Sequence, residues 1–583
     1  MGGRVAFWVW IASLVCFGIV ACAPPEPTSL RRRSKTKSDT TGEEGDEGED
    51  PDRPALPKTK FTFSACTGAY AKARTCGTAR VPLDYGAPDG ETIEVFVARM
   101  GGTGASATQM YMLQGGPGGS AAGLVSLAEL ALGARPDLDV ILVEHRGVGR
   151  SSMLACPKAA AENVENPGAQ ASACVKELEG KVGDGLAHYS TSNAARDLAV
   201  TIAALRKEGQ QAFVYGVSYG TYWAHRFLQL APTPVDGVIL DSAVSPSSQF
   251  LNDFDKQYDP ALRRIGEACK ADSTCSARLG ADPFARMASI VRGANGSTCG
   301  TALGLDRDTL SAVVVSMLMM SETAELVPSL LARFERCSQA DQQALNTLFQ
   351  AMFGPAPGSA SSRLDSGEGD LDSDALYKNV AFSELWSDPA PSAAKLEQQI
   401  AQQTIATRSI LSLAAAEIVW PKYPKDSFVR KWAKTTMPVL TLNGDLDVQT
   451  PIESAREFET KLTGDDKHFV FIPHANHGVI FQSRMQGGGD PCGLRIILDF
   501  MRAPTSRPDT SCTSRTLAPN VAGDPAFVNA VYGTTSAWSV NAPAEPEVRD
   551  PMVEKRLADL RRNIRRTPRL AGLVRDYPLF SRP

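Results

Sequence analysis

Three short segments carry residue types that could do nucleophilic chemistry together. Gly216-Val217-Ser218-Tyr219-Gly220 sets a serine between small residues, with the strand-like run Phe213–Tyr215 before it and the helical run Tyr219–Leu230 after it. A nucleophilic serine on a strand-to-helix turn of this kind is exposed by the tightness of the turn, which requires small flanking residues. Gly444-Asp445-Leu446-Asp447-Val448-Gln449-Thr450-Pro451 brings carboxylates directly after the apolar run Val439–Leu442, and Pro473-His474-Ala475-Asn476-His477-Gly478 brings imidazoles after His468–Ile472. A serine hydroxyl becomes a nucleophile when a base takes its proton, and the base is held in the right tautomer by an acid. Asp445 and Asp447 share a side of an extended segment, so spacing leaves both open as the acid; His474 and His477 are likewise both available as the base. Gln114-Gly115-Gly116-Pro117-Gly118-Gly119-Ser120 follows the run Met110–Leu113. Glycines there let backbone N–H groups approach a developing oxyanion. A phosphate cradle is the competing use, but the Gly-Lys-Ser/Thr ending is missing.

The elements that must position these residues alternate. Ile93–Ala98, Met110–Leu113, Val140–Val143, Ala212–Tyr215, Val235–Leu240, Val439–Leu442 and His468–Ile472 read as strands. Asn193–Glu208 reads as a helix with Leu198, Ile202 and Leu205 on one face and Ser192 as its N-cap. Strands separated by helices predict an α/β fold with a mostly parallel sheet flanked by helices. Residues 246–430 interrupt this series with helical patterns (Asp308–Met320, Thr323–Glu335, Lys395–Ile410) and a Ser/Gly/Asp-rich loop, Ser359–Asp374. They predict a helical cap over the C-terminal edge of the sheet, where the catalytic residues must stand.

These pieces, with Glu144-His145-Arg146-Gly147-Val148-Gly149-Arg150-Ser151, resemble the tripeptidyl-aminopeptidase and proline-iminopeptidase branch of the α/β-hydrolases. The order Ser, Asp, His is that of α/β-hydrolases. The resemblance implies Ser218 as nucleophile, Asp447 as acid, His477 as base, and the backbone N–H groups of Gly116 and Tyr219 as the oxyanion hole. It implies no cofactor and a peptide substrate, cut near its N-terminus beneath the cap. Two departures stand out: Gln114 where many members have His, and Glu144 where Asp is usual. An exopeptidase needs a carboxylate for the substrate's ammonium; Glu322, Glu325, Glu384 and Glu417 are the cap's candidates, each of which also reads as a solvated surface charge, so none is assigned to the site. The same triad would serve a carboxylesterase or thioesterase, and a non-catalytic surface-binding lipoprotein is the rival of a different class. His145, His188, His225 and His468 read as packed or surface residues, and no metal site is expected.

Near the start, Arg4 and the apolar stretch Val5–Ala21 read as an export leader. Ile19-Val20-Ala21-Cys22 resembles the bacterial lipobox, which implies Cys22 as a lipidated residue anchoring the chain to a bacterial membrane, the outer one in a cell with two. Residues 22–60 carry a basic cluster and then an acidic block with few apolar residues, the composition of a disordered tether. The division that follows is 1–21 leader, 22–60 tether, 61–245 first part of the sheet domain, 246–430 cap, 431–512 second part, and 513–583 a C-terminal extension ending in a basic helical stretch, Val553–Arg566. With Cys16 in the leader and Cys22 lipidated, the remaining cysteines are even in number and read as disulfides between neighbours: 66–76, 156–174, 269–275, 299–337 and 492–512. A formal charge of -5 over 583 residues excludes a globally basic nucleic-acid binder, so no nucleic-acid partner is expected.

Overall fold

Runs such as Asp139–Val143 and Gly237–Asp241 are buried at every position, the pattern of strands covered on both faces. The computed structural model describes residues 56–541 apart from 103, 105–106, 163–165, 231–232 and 354–370, together with Val553, Leu557 and Arg561. The leader, Cys22, the tether up to residue 55, most of the loop from Ser359 and most of the basic stretch after Val553 lie outside the described residues.

Nine strands form one sheet: β1 (Thr62–Ser64), β2 (Thr75–Pro82), β3 (Thr92–Gly101), β4 (Gln109–Leu113), β5 (Asp139–Val143), β6 (Ala212–Val217), β7 (Gly237–Asp241), β8 (Val439–Gly444) and β9 (Lys467–Ile472). Their order is β1-β2-β3-β5-β4-β6-β7-β8-β9. The first four in that order pair antiparallel, and every pairing from β5 onward is parallel. Successive side chains enter opposite layers. Met110 and Met112 join Phe213 and Tyr215 on one side, while Tyr111 and Leu113 join Val214 on the other. The sequence reading missed β1 and β2. β2 (TCGTARVP) mixes Gly, Pro and Arg among its apolar positions and has no plain alternation.

β8 pairs with β7 from Val238↔Val439 to Asp241↔Leu442, so the sheet is continuous although residues 242–438 intervene. Among the described residues that connection holds helices and no strand. Three helix boundaries differ from the sequence reading. Ser190, not Ser192, caps the helix Thr191–Leu205, its side chain accepting from Asn193 N–H. The stretch read as Thr323–Glu335 is a short turn, Ser321–Ala324, followed by a helix Val327–Arg336. Pro328, in its first turn, starts a helix well but cannot sit inside one. Lys395–Ile410 is also two helices, Ala393–Gln402 and Ser409–Val419. Between them the N–H groups of Thr404 and Ile405 donate to Asp259 and that of Thr407 to Asp255, bonds to side chains in place of helical ones.

Five disulfides join the neighbours expected: Cys66–Cys76, Cys156–Cys174, Cys269–Cys275, Cys299–Cys337 and Cys492–Cys512. Ordered contacts begin before Phe61: Leu56 packs against the core and the Thr59 hydroxyl donates to the Arg80 carbonyl.

Candidate active site

All the candidate residues follow C-terminal strand ends, where an open parallel sheet places its ligand crevice. Ser218 comes directly after β6 with φ +58, a left-handed backbone that a non-glycine residue rarely holds. Its N–H donates to the Asp241 carbonyl at 3.1 Å, tying the turn to β7. The turn closes because its neighbours lack side chains. A Cβ on Gly216 would lie 2.2 Å from the Gly220 carbonyl oxygen, and one on Gly220 would lie 2.3 Å from that of Leu113. The glycine loop stands alongside, since a Cβ on Gly115 would come 3.1 Å from Ser218 Oγ.

Asp447 and His477 are bonded to each other, Nδ1 lying 2.9 Å from Oδ2 and 3.0 Å from Oδ1. The carboxylate also accepts from the N–H groups of Gln449 and Thr450, both at 2.8 Å, and from the Thr450 hydroxyl at 2.7 Å. Burial works to raise the Asp447 pKa, but the charge and hydrogen bond of His477 and the Thr450 bonds outweigh it, so the group sits below its ordinary range. Burial works to lower the pKa of His477, and Asp447, with a further push from Asp241, reverses the sign and holds it above the ordinary value. The other pair is placed differently: Asp445 Oδ1 accepts the His474 N–H at 2.7 Å and so shapes the loop. The Ser218 hydroxyl has no hydrogen-bond partner among the described residues. Catalytic bonds of this kind tighten when substrate is bound.

Neither the Gly116 nor the Tyr219 N–H donates to an acceptor among the described residues, leaving both available to an incoming oxygen. Tyr219 is fixed by its ring. Its hydroxyl meets Thr191 Oγ1 at 2.9 Å and His145 Nε2 at 3.2 Å. His145 Nδ1 lies 2.7 Å from the Arg146 carbonyl, which can only accept, so Nδ1 carries the hydrogen and Nε2 accepts from Tyr219. Burial lowers the His145 pKa to about 4, keeping the ring neutral. Arg146 forms a buried bidentate pair with Asp197, both contacts 2.7 Å. The Arg-Gly element thus serves the scaffold.

The sequence reading overlooked Asp241. It ends β7 fully buried, and its carboxylate accepts from Val479 N–H at 2.7 Å, Ile480 N–H at 3.0 Å, the Tyr215 hydroxyl at 2.8 Å and the Ser242 hydroxyl at 3.2 Å. Ser242 Oγ accepts Gly478 N–H at 2.7 Å. Asp241 and Ser242 thus bind the backbone directly after His477, while the Asp241 carbonyl holds Ser218. The signal available was an acid closing the apolar run Val238–Leu240, the position Asp447 shares a few residues after β8.

The helical connection between β7 and β8 reaches each candidate loop. Asn476 Nδ2 donates to the Leu318 carbonyl at 2.8 Å, Gln249 Nε2 to that of Gln449 at 2.8 Å, and Ser373 N–H to that of Gly118 at 2.8 Å. Of the four cap carboxylates, Glu384 is buried and bonded to Arg226 at 2.9 Å, Tyr423 at 2.7 Å and Thr191 N–H at 3.1 Å. Glu325 pairs with Arg484 and Glu417 with Lys422. Glu322 is half-buried and has no hydrogen-bond or ion-pair partner among the described residues; it stands next to Ser321, whose hydroxyl donates to Gln482 Oε1 in the turn after His477. Among the described residues no group of three or more His, Cys, Asp or Glu side chains could hold a metal ion.

Comparison with known proteins matches residues 109–272 to the alpha/beta hydrolase fold and 410–512 to the TAP-like protein family. The tripeptidyl aminopeptidase of Streptomyces coelicolor is 34% identical over 30% of this chain and 35% of its own length; that of Streptomyces lividans is 34% identical over 30% and 36%. Serine protease Hip1 of Mycobacterium bovis is 30% identical over 36% of this chain and 43% of its own. The alignments therefore span less than half of each relative. The two matched segments supply β4–β7 and β8–β9 of one sheet, and the chain has the α/β-hydrolase fold, with a TAP-like segment completing it.

Proposed function

We propose that the protein is an exported serine aminopeptidase that releases tripeptides or shorter units from peptide N-termini. The observation that carries the reading is the bonded Asp447–His477 pair on the same sheet edge as a strained Ser218, with two unclaimed N–H groups beside it. Ser218 Oγ attacks the scissile carbonyl carbon as His477 Nε2 takes its proton. Asp447 holds Nδ1–H and stabilises the imidazolium, while Gly116 and Tyr219 N–H bind the oxyanion. The tetrahedral intermediate collapses to an acyl-enzyme, and the leaving amine takes the proton from His477. Water, deprotonated by the same base, then attacks the ester and frees Ser218.

Glu322 is the cap candidate left without an ion-pair partner among the described residues, which supports it as the carboxylate that meets the substrate's ammonium. Five disulfides belong to an oxidising compartment, which supports export. Lipidation at Cys22 would hold the enzyme to the cell envelope. The test offers purified protein and its Ser218→Ala variant fluorogenic tripeptide amides, single-residue amides and short acyl esters. Amide turnover and fluorophosphonate labelling are expected, both lost in S218A. Ester turnover alone would overturn the peptidase reading in favour of an esterase. Glu322→Gln should raise KM for substrates with a free N-terminus and leave N-acylated ones unchanged.

A further inference from the structure

Ser120 closes the glycine loop, and separate elements hold it. Its N–H donates to Asp372 Oδ1 at 2.7 Å, and its Oγ accepts Ala122 N–H at 3.1 Å while donating to Glu144 Oε1 at 2.9 Å. Glu144 Oε2 accepts Ala121 N–H at 3.2 Å, and the Tyr70 hydroxyl donates to Oε1 of the same carboxyl. Tyr70 comes from the loop closed by Cys66–Cys76, with the Arg150 guanidinium 5.3 Å from its ring centroid. Gly149 leaves the room required: its φ is +53, and a Cβ there would stand 2.2 Å from Glu144 Oε1. The mechanism above uses none of these groups, yet they hold the far end of the loop that carries the Gly116 N–H.

We propose that Glu144, braced by Tyr70, is a positioning residue that fixes the oxyanion loop through Ser120 and Ala121 and does so as a carboxylate. The proposal rests on reading Gly116 as an oxyanion donor. A backbone N–H can only donate, so Oε2 must accept from Ala121, and with the Tyr70 and Ser120 hydroxyls donating to Oε1 the carboxyl accepts from all three partners. A proton on Glu144 brings another donor into a cluster of donors. It also turns charge-assisted bonds, roughly twice as strong as neutral ones, into neutral bonds. Burial pushes the Glu144 pKa up to about 7, against the lowering by bonds from Tyr70, Ser120 and Ala121 and with a small rise from Asp372. The ionisable groups around it are Tyr70 and Asp372, with Arg150 across the Tyr70 ring. The loop therefore slackens as pH falls through about 7, while His477 takes up its own proton. Two ionisations shape the acid side of the rate profile.

The experiment measures kcat and KM for a peptide amide across pH with wild type, Glu144→Gln and Tyr70→Phe. The acid limb of log kcat/KM should approach a slope of about 2 in wild type and about 1 in E144Q, whose kcat falls roughly 10- to 100-fold with KM nearly unchanged, the mark of misplaced geometry. Y70F, which removes one hydroxyl from the cluster, should shift the acid limb to higher pH, because Glu144 loses a donor that favours its charged form. Wild-type turnover matched by E144Q at every pH, or a Y70F limb that does not move, overturns the role of Glu144 alone. A wild type inert toward amides, esters and fluorophosphonate overturns the hydrolase reading and this proposal together.

Discussion

Asp241→Asn is the sharpest probe of how the nucleophile and the base are held in one frame. The carboxylate serves four donors with two oxygens: Val479 N–H and Ser242 Oγ on Oδ1, Ile480 N–H and Tyr215 Oη on Oδ2. Asparagine keeps one oxygen, so one pair of donors faces an NH2 group. Hydrogen bonds to a charged group contribute roughly 1.5–3 kcal/mol each, so two amount to about 3–6 kcal/mol. Removing a buried charge recovers part of that, and a net loss of about 2–4 kcal/mol is expected. Urea unfolding with disulfides intact measures it as a lower midpoint at unchanged m-value. The same substitution removes one of the two anions that hold the His477 pKa up. The base then protonates at lower pH, so the acid limb of kcat/KM should move down the pH scale, on top of a reduced plateau. Stability within about 0.5 kcal/mol of wild type, with an unmoved acid limb, would refute the account of Asp241 as the joint between the two loops.

Three further outcomes follow from the packing. Gly220→Ala should leave the protein folded but cut kcat about 100-fold, since the turn must shift to clear the Leu113 carbonyl and takes the Tyr219 N–H with it; near-wild-type kcat with a native near-UV spectrum would contradict this. Glu384→Gln takes the nearer of two anions from the buried Arg226, Asp426 remaining at 3.6 Å, and should cost about 3 kcal/mol by denaturant unfolding, the low end for a broken buried pair, whereas a KM effect without instability would return Glu384 to the substrate site. Replacing Cys299 and Cys337 with serine opens a longer loop (separation 38) than replacing Cys269 and Cys275 (separation 6). Loop-closure entropy sets the losses at about 4 and about 2 kcal/mol, and the reverse order in thermal unfolding would count against an entropic origin.

What the sequence discloses is local. The serine turn is legible because its glycines and flanking strand lie within a few residues, and the cysteines because each bridges to its neighbour in the chain. The choice of Asp447 over Asp445 needed a resemblance; in the structure Asp445 is engaged by the His474 N–H and Asp447 by the His477 ring. Asp241 went unread, and Glu144 stood out without a role, because their meaning lies in distant partners: the amides after His477 for one, and Tyr70 with Ser120 for the other. Buried acids whose partners are backbone amides leave no periodicity and no spacing. Glu384, set beside Glu322 by composition alone, is separated from it by burial against Arg226.

The pairing of β7 with β8 has a consequence for the chain while it is being made. Ser218 and the glycine loop belong to the first block of strands, but Asp447 and His477 arrive only with β8 and β9, after residues 242–438. Contacts between segments so far apart form late, because the loop between them must close first. A chain extended only through β7 carries the Ser218 turn without Asp447 or His477. The three candidate side chains therefore come together only once synthesis has passed β9.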